Sequence, residues 1–235
     1  LDQWQQPVRG SGYDMRVDAV GPSLYHAWQS AFTLAVMDQA LGDDLAGRLL
    51  AKEEKLDLGS SPFFETAMEQ ALTWLEQGAP EWVGSVRPLL YPALTEAVQQ
   101  LAAILGPDPA GWQWGRLHQV HWRPILSRAP GLDRIWSPII RPVGGDGFTV
   151  NQSDITPIFP PPPVHTIASC RMILDVGEWD RSVAVLPGGQ SERLHSPHYQ
   201  DGLADWLSGA FHPMLFSRPQ VVAATAEVLH LAPAT

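Results

Sequence analysis

Apolar residues recur every three or four positions in the first part of this chain and close to every second position later, so a helical region followed by a strand-bearing one is expected. From Pro22 the positions Leu24, Ala27, Trp28, Ala31, Leu34, Ala35 and Leu41 fall at helical spacing. Pro22 suits the first turn, where a missing N–H costs nothing, and Gly42 suits the residue just past the end. A second helix starts at Ser61-Pro62, turns Phe64, Ala67, Met68, Ala71, Leu72 and Leu75 inward, and closes at Gly78. A third covers about 88–105, with Leu90, Leu94, Ala97, Val98 and Leu101 inward and Gly106-Pro107 as the stop. Residues 1–110 therefore read as a helical region.

The period changes at Trp112. The stretch WQWGRLHQVHW, 112–122, alternates apolar with polar or small residues, as a half-buried strand does. Short apolar pieces between prolines follow, then a turn at Gly144-Gly145-Asp146-Gly147 and the strand-like Phe148-Thr149-Val150. The prolines at 160–163 predict a short, rigid polyproline connector. Residues 170–176 and 182–186 read as adjacent strands joined through Gly177-Glu178-Trp179-Asp180, with Pro187-Gly188-Gly189 ending the second. Ser196-Pro197 is an N-cap with a first-turn proline, opening a helix through Tyr199, Leu203, Trp206 and Leu207 to Gly209. A strand at 213–216, a helix from Ser217-Arg218-Pro219 to about Ala226, and a strand at 228–231 complete the chain. The class expected is α+β, with a helical region at 1–110 and mixed strands and helices at 111–235.

Composition narrows the function classes. With 235 residues, 45% of them apolar, the chain can bury a sizeable core as one large domain or two small ones. The net charge is −10, and Lys52 and Lys55 are the only lysines. No basic stripe offers itself to phosphates, which excludes nucleic acid as a partner. No apolar run approaches the roughly 18 residues of a membrane span. Cys170 is the single cysteine, so no disulfide can form within the chain. Leu1-Asp2-Gln3-Trp4 lacks the basic and apolar regions of a signal peptide, and the chain reads as a piece of a longer, processed protein. Ten tryptophans spread along it read as packing residues.

Candidate chemistry is sparse. The pairs His118/His121 and His195/His198 have three-residue spacing, but one lies on an expected strand and the other straddles a helix start. Neither has the H-E-x-x-H context nor a Cys or Glu to complete a set, so structural histidines are expected and no metal site. Gly188-Gly189-Gln190-Ser191 is no nucleophile elbow, because Ser191 is followed by Glu192, and no phosphate loop, because no G-K-[ST] follows. A tight structural loop remains. Cys170, mid-strand among apolar residues, reads as a buried, inert thiol. Arg171 is the more telling residue. A guanidinium in an apolar strand needs a carboxylate or carbonyl partner, or else lines a polar site.

The strings SCRMILDVGEWDRSVAVLPGGQS, SPHYQDGLADWLSGAFHPMLFSR and VLHLAP, preceded by WQWGRLHQVHW and GGDGFTVN in the same order, resemble the C-terminal end of the penicillin acylase family. The helical residues before them resemble the family's preceding region more loosely. The resemblance implies an N-terminal-nucleophile amidohydrolase built as a four-layer αββα sandwich. Its precursor cuts itself into a small α subunit and a large β subunit, whose new N-terminal Ser is the nucleophile and whose own α-amino group is the base. A backbone N–H and an Asn side chain hold the oxyanion. In that frame Leu1 cannot be the nucleophile, and Asn151, inside the GDG-x-TVN motif, is not the oxyanion Asn.

The catalytic Ser, the oxyanion Asn and any calcium ligands are thus expected on partner chains of the same precursor. This chain then carries no catalytic residue and no cofactor, and Arg171 is its one candidate beside the substrate. The substrate implied is a small N-acyl amide, a β-lactam or an N-acyl-homoserine lactone, in a periplasmic or secreted enzyme. Glu192 departs from the Gly usual after GGQS, Gly202 from a Gln often found after HY-x-D, and Cys170 from a common aromatic. The alternatives are a non-catalytic binding module of the same fold and a self-sufficient hydrolase using Ser191 with a His. A half-sandwich chain cannot cover its own strands, so large apolar surface is expected when it stands alone.

Overall fold

The computed structural model describes residues 14–50, 62–122, 124–136, 139–153, 158–164 and 166–231. It divides into two units, one running to Ile167 and one beginning at Ala168. Helices and strands are both present, and the class is α+β. Among the described residues no helix is long and apolar enough to cross a membrane.

The first unit is built around α1, Gly21–Leu41. One face was expected inward, yet nearly the whole circumference is buried, which is the fate of a helix in the middle of a core. Leu24 and Ala27 pack with Ala97 and Leu101 of α4, Leu90–Leu105. On another side Phe32, Val36 and Met37 join Ala46 of α2, Asp43–Leu49, and Phe64, Ala67 and Ala71 of α3, Pro62–Gln77. The small residues Ala93 and Ala97 let α4 come close to α1. Gly42, Gly78 and Gly106 follow the three expected helices directly. The short helix α2 had no counterpart in the sequence reading, and the expected cap Ser61 lies outside the described residues.

The strand expected at 112–122 is mostly not a strand. Pro109–Gly111 and Trp114–Arg116 are 3₁₀ turns, and only Gln119–Trp122 forms β1. The two indoles are the reason. Trp112 Nε1 donates to Gly106 O at 2.8 Å and Trp114 Nε1 to Gly145 O at 3.1 Å, so both rings are buried instead of alternating. β1 pairs antiparallel with β2, Ile139–Pro142, with Val120 opposite Arg141. Val164 bridges to Val120 beside it, so the proline connector ends in sheet pairing. Phe148-Thr149-Val150 is a turn, not a strand, and Phe148 and Val150 are exposed.

The second unit holds a three-stranded antiparallel sheet in the order β3, β4, β5. These are Arg171–Ile173, Val183–Val185 and His212–Pro213. The strand expected at 213–216 is cut short because Phe216 N and Ser217 N both donate to Asp180 Oδ1, at 2.8 Å each, instead of to the sheet. The Ser196-Pro197 helix start is also corrected. Ser196 Oγ accepts from His198 N at 3.1 Å, a local turn, and helix α5 begins at Asp201 and ends at Ser208. Helix α6 covers Arg218–Ala224, and the strand expected at 228–231 is absent, with Val228, Leu229 and Leu231 exposed.

This second unit buries few large side chains, chiefly Val185, Leu203 and Trp206. Met172, Ile173, Leu174, Val176 and Phe216 are all exposed. The large apolar surface expected of the strands is therefore present. Core dependence is sharply uneven: Phe32, fully buried and stacked on Trp28 at 5.5 Å, should cost about 3–5 kcal/mol as Phe32→Ala. Tyr91→Ala, at an exposed position, should stay within about 0.5 kcal/mol. Chemical denaturation of both variants checks the contrast.

Candidate functional site

In the first unit, polar groups converge on the indole of Trp114. His26 of α1 stacks on it with ring centroids 4.9 Å apart, and His118 stacks on it at 4.5 Å. His118 Nδ1 lies 2.8 Å from Val143 O; a carbonyl only accepts, so Nδ1 carries the proton. Burial, with a smaller contribution from His118, pushes the His26 pKa from its ordinary 6.5 to about 3. Both imidazoles thus stack on the one indole, and His26 is neutral at ordinary pH. Beside them Gln29 Nε2 donates to Tyr25 OH at 3.2 Å, and burial together with the Asp146 carboxylate raises the Tyr25 pKa.

The Gly144-Gly145-Asp146-Gly147 turn is clamped against this cluster. Asp146 is buried, and its Oδ1 accepts from Phe148 N at 2.8 Å. Gly145 has φ 81, and a Cβ there would lie 1.9 Å from Asn151 O. Asn151 Nδ2 donates back to Gly144 O at 3.0 Å, and Ser153 Oγ donates to the same oxygen at 2.9 Å. Asn151 is therefore a clasp within its own turn. The cluster positions backbone; it contains no nucleophile aligned with a base.

In the second unit Arg171, on β3, reaches across to α5. Its guanidinium carbon sits 3.9 Å from the Trp206 ring centroid, and Nη1 donates to Trp206 O at 2.7 Å. Trp206 Nε1 in turn donates to Ala168 O at 3.0 Å. The carbonyl partner expected for a guanidinium in an apolar strand is thus present, and partial burial lowers the Arg171 pKa. Trp206 itself was read from sequence only as a helix-face residue. His212 Nε2, 3.1 Å from Asp205 Oδ2, ties β5 to the same helix.

The remaining candidates separate. His195 is exposed, and His198 turns to Asp201, with Nδ1 2.7 Å from Oδ2, which holds the Asp201 carboxyl below its usual range. His118 is buried on Trp114, while His121 is half-buried on β1. Among the described residues no three of His, Cys, Asp and Glu come together in a way that could hold a metal ion. Ser191 Oγ accepts from Arg193 N at 3.2 Å, and Ser191 N donates to His198 O at 3.0 Å, a backbone contact. Gly189 is required by the tight loop, since a Cβ there would meet His198 O at 2.1 Å. Cys170 corrects the sequence reading: it is exposed, because it precedes a three-residue strand whose neighbours Met172 and Ile173 are themselves uncovered.

Sequence reasoning passed over His26, Trp114 and Asp146 as a group. The available signal was polar Ser23, His26, Gln29, Ser30 and Thr33 interleaved with apolar residues in a helix whose length alone suggested a central position.

A sequence model of the penicillin amidase family matches residues 1–223. A penicillin acylase 2 proenzyme of Pseudomonas sp. (strain SE83) is 33% identical over 140 residues, 59% of this chain and 18% of that protein. The acyl-homoserine lactone acylase QuiP of Pseudomonas putida is 31% identical over 201 residues, 83% of this chain and 21% of its own length. The QuiP of Pseudomonas aeruginosa is 29% identical over 214 residues, 83% of this chain and 22% of that protein. The chain spans about a fifth of the length of these relatives.

Because the folded state holds His26 neutral, the unfolded state binds a proton that the folded state refuses between pH 6.5 and about 3. The contribution of His26 to stability should be full above pH 6.5, fall as pH drops through that window by on the order of 5 kcal/mol, and level off below it. Urea midpoints measured against pH should show this, and His26→Phe should flatten the slope. Arg171→Leu should cost about 1–2 kcal/mol by loss of the carbonyl hydrogen bond and the ring contact. Gly145→Ala should cost more than that, through the clash with Asn151 O and the positive φ, as read by thermal unfolding.

Proposed function

The chain belongs to the penicillin amidase family, and on that premise we propose that it is one part of an N-acyl amide hydrolase whose nucleophile is the N-terminal Ser of a partner chain. The family match over residues 1–223 carries this reading. In it, the Ser hydroxyl attacks the amide carbonyl with its own α-amino group as base, and an acyl-enzyme forms as the amine leaves. A backbone N–H and an Asn side chain on other chains stabilise the oxyanion.

This chain then supplies scaffold and pocket wall. Its helices and sheets form part of a four-layer αββα sandwich, completed by the other pieces of a self-cleaving precursor. The exposed Met172, Ile173, Leu174 and Val176 support that placement, since strands with uncovered apolar residues call for a partner layer. Arg171 is the residue of this chain proposed to stand near the substrate. Any calcium belongs to a partner chain, and the assembled enzyme works in the periplasm or outside the cell. The substrate is a small N-acyl amide, with penicillin-type β-lactams and acyl-homoserine lactones as the two classes to assay, following the names of the relatives.

A second reading, a non-catalytic binding or structural module of the same fold, draws on a different observation. Among the described residues neither Ser191 nor Cys170 is hydrogen-bonded to an imidazole. The two readings part in one experiment. The full protein is purified, the N-terminal residue of every copurifying chain is sequenced, and amide hydrolysis is assayed for this chain alone and for the complex. Activity confined to a complex with one N-terminal Ser supports the enzyme reading, and a complex whose chains lack N-terminal Ser, Thr or Cys overturns it. Ser191→Ala should leave turnover in the complex unchanged, whereas loss of turnover would make this chain a hydrolase in its own right.

A further inference from the structure

One face of α1 carries polar groups that, His26 apart, have no role so far. Ser23, His26, Ser30 and Thr33 follow one another at steps of three, four and three residues, which aligns them in a single stripe along the helix. All four are buried, none more than 4% exposed. Among the described residues Ser23 Oγ, His26 Nε2, Ser30 Oγ and Thr33 Oγ1 make no hydrogen bond to any protein group. A single buried polar atom without a partner is a cost comparable to a lost hydrogen bond, and three hydroxyls and an imidazole nitrogen in a row are not a stable arrangement for a dry interior.

A helical Ser or Thr ordinarily escapes that cost by turning its hydroxyl back onto the carbonyl four residues earlier. Elsewhere Thr73 turns onto Glu69 O at 2.8 Å and Thr95 onto Tyr91 O at 3.0 Å, and Thr225, just past helix α6, onto Val221 O at 2.7 Å. Ser30 and Thr33 do not.

Spacing identifies the ligand. Side chains three or four residues apart on a helix have Cβ atoms about 5–6 Å apart. That is too far for one hydrogen bond of about 2.8 Å, but it is the span of two such bonds through one oxygen between them. Uncharged hydroxyls and a neutral imidazole offer dipoles and no net charge, which suits water over an ion.

We propose that the stripe is a hydration site, in which a file of ordered waters bridges Ser23 Oγ, His26 Nε2, Ser30 Oγ and Thr33 Oγ1 inside the first unit. Water donates to His26 Nε2, so Nδ1 is the protonated nitrogen of the neutral ring. The file links the Trp114 stack at one end to the middle of α1 at the other, and lets a helix enclosed by apolar neighbours keep a polar face.

The test is made on the full protein. Oxygen-17 relaxation dispersion counts long-lived internal waters, and a high-resolution crystal structure locates them. The expected result is density within hydrogen-bond distance of at least three of the four atoms, with long-lived waters lost in the double variant Ser30→Ala, Thr33→Val and its melting temperature lowered. Hydroxyls found bonded to His26 O and Gln29 O with no water beside them overturn the proposal. So does a double variant that melts higher than the parent, which is the response of a dry, unsatisfied stripe. Should the double variant fail to fold, the wild-type water positions decide alone.

Discussion

Enclosure of α1 is the constraint on which the rest of the first unit depends. A helix buried on nearly every side must satisfy two demands at once: close packing against several neighbours, and partners for whatever polar atoms it carries. Ala93 and Ala97 meet the first demand by letting α4 approach. Trp114 meets part of the second. It fills the space beside His26 with an aromatic face, while its own N–H goes to Gly145 O, which binds the 144–147 turn to the same core. One indole thereby connects α1, the 3₁₀ turn that bears it, and a glycine turn far along the chain.

The second unit is organised on the opposite principle. It has a small core, and its order comes from specific contacts: Arg171 lying on Trp206 and bonded to its carbonyl, His212 against Asp205, and Asp180 capping two backbone N–H groups. Apolar strand residues are left uncovered. One unit is packed around a buried helix, and the other leaves its sheet uncovered. The chain belongs to the penicillin amidase family and spans about a fifth of the length of the relatives it matches. The residues that look reactive in isolation, Cys170, Ser191 and the histidine pairs, have each been given other surroundings.

The amino-acid sequence by itself determined the family, the α+β class and the helices at 21–41, 62–77 and 90–105, because helical spacing and terminal glycines are local properties. It also determined that the Gly-Gly loop is structural, since the neighbours of Ser191 exclude the known catalytic loops. Only the tertiary structure decided which strands survive. Trp112 and Trp114 alternate with polar residues as a strand would, but their indoles found carbonyl partners in a buried corner, and the backbone turned to follow. Likewise Phe216 left the sheet for Asp180, thirty-six residues earlier in the chain. The exposure of Cys170 and the polar stripe of α1 were equally illegible in advance. A residue's burial depends on what packs over it, and that is settled by contacts between distant segments, which no local pattern contains.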